Sequence, residues 1–403
     1  MLFTFGGLPH YYNYVLSRLH ARVDITVCVP KKSEATLGKG VHQAKDGIDF
    51  KVIETEETNG WWQKPTLRSL RSILAKEEPD AIVFVWPYVL QLIFQPRTLS
   101  LIRKRGIKLI YKDIPFNLPK YDEAIHFYQN ELKTEDNAKT RGGFYWKFYY
   151  LFFRQLVKYY LRLMDAHVYY TEAAHDIIPT YGVNPDRIFI IYNSPDTDRL
   201  FSIKKRSISL EPLLMSNGKR VLHVGRLVKW KNVDVLIKAF ATLLKNHPTS
   251  ELLIVGDGPE KQSLELLVDE LNLRDHVIFR GAVYDPEELG RCFMESAVYV
   301  LAGAGGLSIN EAMLYGKPVI CSEADGTEKK LVRQNENGYY FELGNDLDLA
   351  EKISYLLERP DLIQQFGRKS LDIIQNEVNI HTVINGYMKA FRYVYKGEIK
   401  VKS

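Results

Sequence analysis

Cysteine is scarce, with only three in 403 residues. Cys28, Cys292 and Cys321 lie far apart in "ITVCVP", "GRCFMES" and "PVICSE". Three scattered thiols exclude a disulfide framework and read as small buried side chains in a reducing compartment. No Cys/His spacing of the zinc type occurs. Long hydrophobic runs are also missing: "AIVFVWPYVLQLIF" (81 to 94) is broken by Pro87 and is too short to cross a bilayer. The first residues, "MLFTFGGLPHYYN", lack the basic region and apolar core of a signal peptide. The expectation is a cytoplasmic protein that spans no membrane. Low-complexity tracts and large charge blocks are absent, and the net charge is only +5. That excess sits in residues 1–200, where 27 Lys+Arg face 22 Asp+Glu, against 27 of each in the remainder. It fits either a solvated surface or a first domain that meets an anionic partner.

What is present is core material: 46% hydrophobic residues, with 25 Tyr, 19 Phe and 5 Trp. A chain this long exceeds one hydrophobic core and divides into two domains of roughly 200 residues. In the second half, short apolar strands alternate with amphipathic stretches, the pattern of a parallel sheet covered by helices. "RVLHVGRL", "ELLIVGDGPE", "HVIFRGAV", "AVYVLAGAGG" and "KPVICSEADG" each read as a strand running into a glycine-containing loop. Between the first two, apolar residues at 233, 236, 237, 240, 243 and 244 form a helical stripe that stops at Pro248. The first half gives a second sheet from "LFTF", "ITVCVP", "AIVFVW", "KLIYKDIPF", "AHVYYTE" and "IFIIYNSPD". The polar stretch 196–220 has no sustained period and is assigned to the interdomain linker. The tail reads as a final helix with a basic end.

In such sheets ligands bind beyond the carboxyl ends of the strands, where helix N-termini favour phosphate. Gly303, Gly305 and Gly306 would let backbone amides approach a phosphate, with a helix starting near Ser308. Glu311, about one turn into that helix, is placed to accept hydrogen bonds from a ribose diol. An equally local reading makes Ser308 and Glu311 a capping box. Arg226 ends one strand and Lys231 follows five residues later, so one short loop can aim two cations at a diphosphate. "VGDGP" adds a glycine turn with Pro259 opening a helix, and "FRGAV" ends a strand with backbone free for a nucleobase edge.

Taken together, "VGRLVKWKNVDVLIKAF", "LLIVGDGPE", "VIFRGAV", "GGLSINEAMLYGKPVI" and "NGYYF" resemble the family 4 glycosyltransferases in order and spacing. "FGGLPHYYNYVLSRL" and "GVNPDRIFIIYNSPDTDRLF" extend the likeness over most of the chain. The resemblance implies an α/β protein of the GT-B fold, two Rossmann-like domains facing a central cleft. The acceptor-binding domain would span 1–200. The nucleotide-sugar-binding domain would span 216–403, with a C-terminal helix able to cross back to the first. Arg226 and Lys231 would hold the donor diphosphate and stabilise it as a leaving group. Gly281, Ala282 and Val283 would line the nucleobase, and Glu311 would bind the ribose. Gly306, Leu307 and Ser308 would offer backbone to the phosphate, and Gly6 and Gly7 would close over it. The scheme needs no metal and no cofactor beyond the sugar donor.

Two positions depart from the family pattern. Counting back eight residues from Glu311, where the family carries a first glutamate at the donor sugar, gives Gly303. In "YKDIPF", Lys112 stands where the family has a histidine, while Asp113 is retained. Asp113 could position an acceptor hydroxyl, or could cap a turn before Ile114-Pro115. His10 reads as structural or as a substitute for the missing histidine. "DTD" (196–198) imitates a metal motif but sits where Asp builds turns, with no other ligand nearby. "FYWKFYYLFFRQLVKYYLRLM" places Lys147, Arg154, Lys158 and Arg162 along one helical face. It reads as a core helix with solvated cations, or as a helix at an anionic membrane surface presenting a lipid-linked acceptor. "NGWWQKP" (59–65) offers an aromatic acceptor platform.

The expected activity is retaining transfer of a hexose-type sugar from a nucleoside-diphosphate sugar to a glycan or lipid-linked glycan. The setting is cell-surface polysaccharide or lipopolysaccharide synthesis, in the cytoplasm near the inner face of the cell membrane. Gly303 and Lys112 motivate an alternative, a catalytically impaired nucleotide-sugar-binding or partner subunit of the same fold. An epimerase fits the cation and glutamate pattern less well, and nucleic-acid binding lacks any basic patch or module.

Overall fold

The alternation of apolar runs and amphipathic stretches becomes two parallel sheets with helices packed on them in a computed structural model of the chain. The structure describes residues 1–31, 47–60, 62, 64–114, 118–130, 144–214, 218–323 and 326–396. The chain divides into one unit of Met1–Tyr192 with His381–Ser403 and a second of Asn193–Ile380.

The first unit is built on β1 (Leu2–Thr4), β2 (Thr26–Pro30), β3 (Lys51–Thr55), a hairpin of β4 (Glu57–Asn59) and β5 (Pro65–Leu67), β6 (Ala81–Phe84), β7 (Lys108–Asp113), β8 (Ala166–Tyr169) and β9 (Ile188–Ile190). Its seven-stranded sheet runs β3-β2-β1-β6-β7-β8-β9, parallel throughout. Strands covered on both faces need unbroken apolar runs, and "AIVF" in β6 is buried at all four positions. Helix His10–His20 follows β1 and buries Tyr12, Val15, Leu16 and Leu19. Helix Ile380–Val394 returns to this unit: Tyr387 is fully buried and its hydroxyl lies 2.7 Å from that of Tyr12. Gly386 permits the approach, because a Cβ there would stand 2.6 Å from the Ile190 carbonyl oxygen.

The second unit holds β10 (Arg220–Val224), β11 (Glu251–Val255), β12 (Val277–Gly281), β13 (Val298–Leu301), β14 (Val319–Ser322) and β15 (Gly338–Phe341) in the order β12-β11-β10-β13-β14-β15, again parallel. Helix Val233–Leu243 buries Val233, Leu236, Ile237, Phe240 and Leu243, as its stripe predicts, and leaves Leu244 half-buried.

The division between units falls at 192/193, ahead of the polar stretch read as a linker, and the chain from 381 belongs to the first unit, a return that the sequence reading allowed for the C-terminal helix. Within 196–220, Thr197–Ser207 is a helix that buries Leu200, Ile203 and Ser207 in the second unit. Asp196 accepts a hydrogen bond from the Arg199 N–H and caps it, so "DTD" opens a helix. Further on, the Glu295 carboxylate accepts from the Leu213 and Leu214 amides at 2.7 and 3.1 Å. Polar composition concealed this segment, because few of its side chains face inward.

No helix among the described residues is long and apolar enough to cross a membrane. In helix Phe144–Leu163 two of the cations stack on Tyr121: the Arg154 guanidinium and Lys158 ammonium lie 4.3 and 4.5 Å from its ring centroid, while Arg162 is exposed. Phe148, Tyr149, Phe152 and Tyr159 are exposed as well. Tyr150, Val157, Tyr160 and Leu161 carry the core contact. The side chain of Lys147 lies outside the described residues. In "NGWWQKP", Trp61 and Gln63 are also outside them, and Trp62 stacks on Phe94 with centroids 4.6 Å apart.

Candidate active site

Parallel strands put all their carboxyl ends on one edge, and strand order reverses between β10 and β13, where a doubly wound sheet leaves a crevice. The loops that follow those two strands carry Arg226, Lys231 and Gly303–Ser308.

Lys231 sits in a short turn (Lys229–Lys231) and is buried to 7% exposure. Its ammonium donates to the carbonyl oxygen of Ala304 at 2.6 Å and also to that of Gly305. A Cβ on Gly306 would lie 3.3 Å from the same nitrogen. The cation is therefore fixed at the glycine loop. The same turn explains Gly303. A Cβ at 303 would stand 2.2 Å from the Trp230 carbonyl oxygen and 2.7 and 2.8 Å from the Lys231 backbone. Instead the Ala304 N–H donates to the Trp230 carbonyl at 2.9 Å. The lysine-bearing turn occupies the space a glutamate side chain would leave through.

Arg226 lies on the same loop, its guanidinium 5.8 Å from the ring centroid of the 47%-exposed Trp230. This loop is stitched to its neighbours by close backbone approaches that need glycine. A Cβ on Gly256 would fall 1.8 Å from the Gly225 carbonyl oxygen, and one on Gly258 2.3 Å from that of Leu227. Gly256 donates in turn to the Gly281 carbonyl at 2.8 Å. The glycines of "VGDGP" thus bind three strand ends together, and the following helix starts at Lys261, two residues past Pro259. At the end of the edge strand β12, Gly281 takes φ +75° and is followed by exposed Ala282 and half-buried Val283.

The capping box does not form. Helix Ser308–Leu314 has Leu307 at its cap position and no side-chain cap, and the Ser308 hydroxyl accepts from Tyr299 Oη at 2.7 Å. Glu311 is left half-buried in the first turns of that helix, free of the capping role. Burial pushes its carboxyl up to about 7, and Arg199 on helix Thr197–Ser207 draws it part of the way back. Sequence reasoning missed Arg199, since the residue was assigned to a linker. It also missed His223, fully buried in β10 with Nδ1 3.1 Å from the Val300 carbonyl oxygen. Burial, then the Lys231 charge, drives that imidazole down to about 4, so a neutral ring lies behind the lysine.

In the first unit, Gly6 and Gly7 follow β1, and Gly7 has φ +155°. Asp113 ends β7, where its Oδ1 accepts the Ile114 N–H at 2.8 Å and its Oδ2 the Tyr111 hydroxyl. Burial raises its carboxyl, against the pull of those two hydrogen bonds. His10 begins helix His10–His20 with its ring edge-on to Tyr11, 5.7 Å away. Lys112 is 8% exposed and donates to the Tyr170 hydroxyl at 2.5 Å. Burial acts to lower its basicity, but Tyr12 and Tyr170 outweigh burial and the net shift is upward. Lys112 is thus a lasting cation and no substitute for a histidine base. Among the described residues no group of three or more His, Cys, Asp or Glu could hold a metal ion.

Residues 205–372 match the family model of the glycosyl transferases group 1. The poly(ribitol-phosphate) alpha-N-acetylglucosaminyltransferase of Staphylococcus aureus is 26% identical over 205 residues, 50% of this chain and 41% of that protein. The chain spans about half the length of the first curated relatives it matches. Over nearly its whole length it superposes on the HepE protein of Anabaena in complex with UDP, with TM-score 0.67, 18% identity and coverage of 97% and 98%. Sucrose-phosphate synthase from Thermosynechococcus elongatus gives TM-score 0.66 and 17% identity, with 98% of this chain and 99% of that chain covered. The fold is that of the GT-B glycosyltransferases, and the matched family segment is the part that carries Arg226, Lys231 and Glu311.

Proposed function

We propose that the protein is a metal-independent retaining glycosyltransferase that moves a hexose-type sugar from a nucleoside-diphosphate donor to a glycan or lipid-linked glycan. The observation that carries this reading is the Lys231 ammonium fixed on the Ala304–Gly306 loop, at the strand-order reversal and one loop away from Glu311. Lys231 and Arg226 are cations that need no reorganisation to meet a diphosphate whose negative charge grows as the glycosidic C–O bond breaks. The bonding pair stays on the phosphate oxygen, and the acceptor hydroxyl adds to C1 on the same face and gives up its proton to that departing phosphate oxygen. Glu311 accepts the ribose hydroxyls, Gly281–Val283 flank the base, and Gly306–Ser308 present backbone to the phosphate. Gly6, Gly7 and Asp113 serve from the first unit, Asp113 on the acceptor. HepE was crystallised with UDP, so uridine is the first base to test.

Synthesis of cell-surface polysaccharide or lipopolysaccharide is the setting, at the inner face of the cell membrane. The exposed Phe148, Tyr149, Phe152 and Tyr159 support a peripheral contact there, since amphipathic rings favour the bilayer interface.

The test is calorimetric titration of UDP, GDP and ADP into wild type and Lys231→Met, followed by a transfer assay with the donor that binds. Expected is micromolar binding of one nucleotide, weakened at least tenfold in K231M. Failure of every nucleotide to bind overturns the proposal. Binding without hydrolysis or transfer from any donor favours the impaired subunit suggested by Gly303 and Lys112.

A further inference from the structure

Lys112 places a buried positive charge near the end of β7. It is 8% exposed, and among the described residues it forms no ion pair with a carboxylate. Its ammonium is surrounded by aromatic groups: 4.4 Å from the Tyr170 ring centroid, 5.2 Å from Tyr12 and 5.6 Å from Phe5. Among the described residues its one hydrogen-bond acceptor is the Tyr170 hydroxyl. Asp113, next along the strand, spends its oxygens on Tyr111 and Ile114. Ring faces, the Tyr170 phenol and the charge of neighbouring Asp113 keep the ammonium protonated despite its burial, yet among the described residues its one hydrogen-bond acceptor is a single hydroxyl.

The placement indicates a use for that charge. Lys112 lies near the carboxyl end of β7, the ring of Phe5 follows β1, and Tyr170 follows β8, so all three stand at the ligand-binding edge of the first sheet. Phe5 is followed by Gly6 and Gly7, which bring no side chain to this edge. We propose that Lys112 is an anion-recognition residue of the first unit, and that a phosphate or carboxylate oxygen of a substrate completes the shell of its ammonium. An oxyanion suits the site, because the ammonium has three donors and Tyr170 takes one of them. Only the word substrate rests on the transferase reading; the site itself stands on the residues named.

The test uses the full chain, with methyl phosphate, glucuronate and UDP as probes in thermal-shift and calorimetric titrations at matched ionic strength. Wild type is compared with Lys112→Met, which keeps length and removes charge, and with Lys112→Arg, which keeps charge; Lys112→Gln serves if K112M is insoluble. Expected is that the response of K112M to one probe falls at least tenfold, with partial recovery in K112R. A lost methyl phosphate response assigns a phosphoryl group, a lost glucuronate response a uronic acid, and a lost UDP response the donor diphosphate. A lower melting temperature in both neutral variants with wild-type probe responses shows the cation to be structural and overturns the proposal. So does an equal response to all three probes in wild type and variants, or none in wild type. UDP that fails to bind while methyl phosphate or glucuronate binds through Lys112 sinks the transferase reading and leaves this one standing.

Discussion

The amide of Ala304 donates to the carbonyl of Trp230 at 2.9 Å, a contact available only because position 303 between them and the sheet is glycine. One backbone hydrogen bond thereby seats the turn that carries Lys231 on the loop that carries Gly306.

Gly303→Glu is accordingly expected to lose function even though it restores the family's carboxylate. Its Cβ would need the Trp230 carbonyl to move from 2.2 Å, displacing the lysine turn. A destabilisation of about 2–4 kcal/mol is expected from such overpacking, with weakened UDP binding. Chemical denaturation and titration check it; a variant as stable as wild type with higher transfer activity would refute the packing argument.

Glu311→Gln should stabilise the protein at alkaline pH while abolishing its function. A carboxyl raised to about 7 gives stability that is complete below the unfolded value near 4.5 and is lost as pH rises through 7. Glutamine has no such loss, so the variant should exceed wild type by about 1–2 kcal/mol at pH 8 and match it at pH 4.5. Donor affinity should fall at least tenfold. Equal stability at both pH values would show that Glu311 is not destabilised by burial.

His167 in the first unit and His223 in the second are buried in the neutral form. Burial drives His167 in the first unit down to about 3 and His223 in the second to about 4. For both, the unfolded state takes the proton first, so stability is full above about 6.5 and falls as pH drops toward 4. The slope should approach about 1.4 kcal/mol per pH unit for each histidine. His167→Phe should flatten the acid limb for the first unit and His223→Gln for the second, read by hydrogen exchange resolved along the chain.

Replacing Phe148 and Phe152 by Asp should leave the melting temperature within a degree or two, since both are more than half exposed. Sedimentation with vesicles of anionic lipid should fall several-fold. Unchanged sedimentation would remove the membrane contact from the proposed function.

Much of the second unit was legible locally. The strands of "RVLHV" and "ELLIV" and the stripe of Val233–Leu243 follow from period and composition, which report burial directly. Helix Thr197–Ser207 was not, because only a few inward residues, among them Leu200, Ile203 and Ser207, distinguish it from a linker, and what buries them lies elsewhere in the chain. The capping box failed for a similar reason: Ser308 finds Tyr299, nine residues away in sequence, before it finds its own helix.

The sequence by itself determined the two sheets, the cations at a strand end, the glycine loop and the missing glutamate, since each is a matter of residue type and spacing along the chain. The tertiary structure alone decided why position 303 is bare, where Lys231 points, which charge faces Glu311 and that Lys112 lies among rings instead of beside a carboxylate. Those depend on distances between segments far apart in sequence, and on how much water burial removes, neither of which any local pattern records.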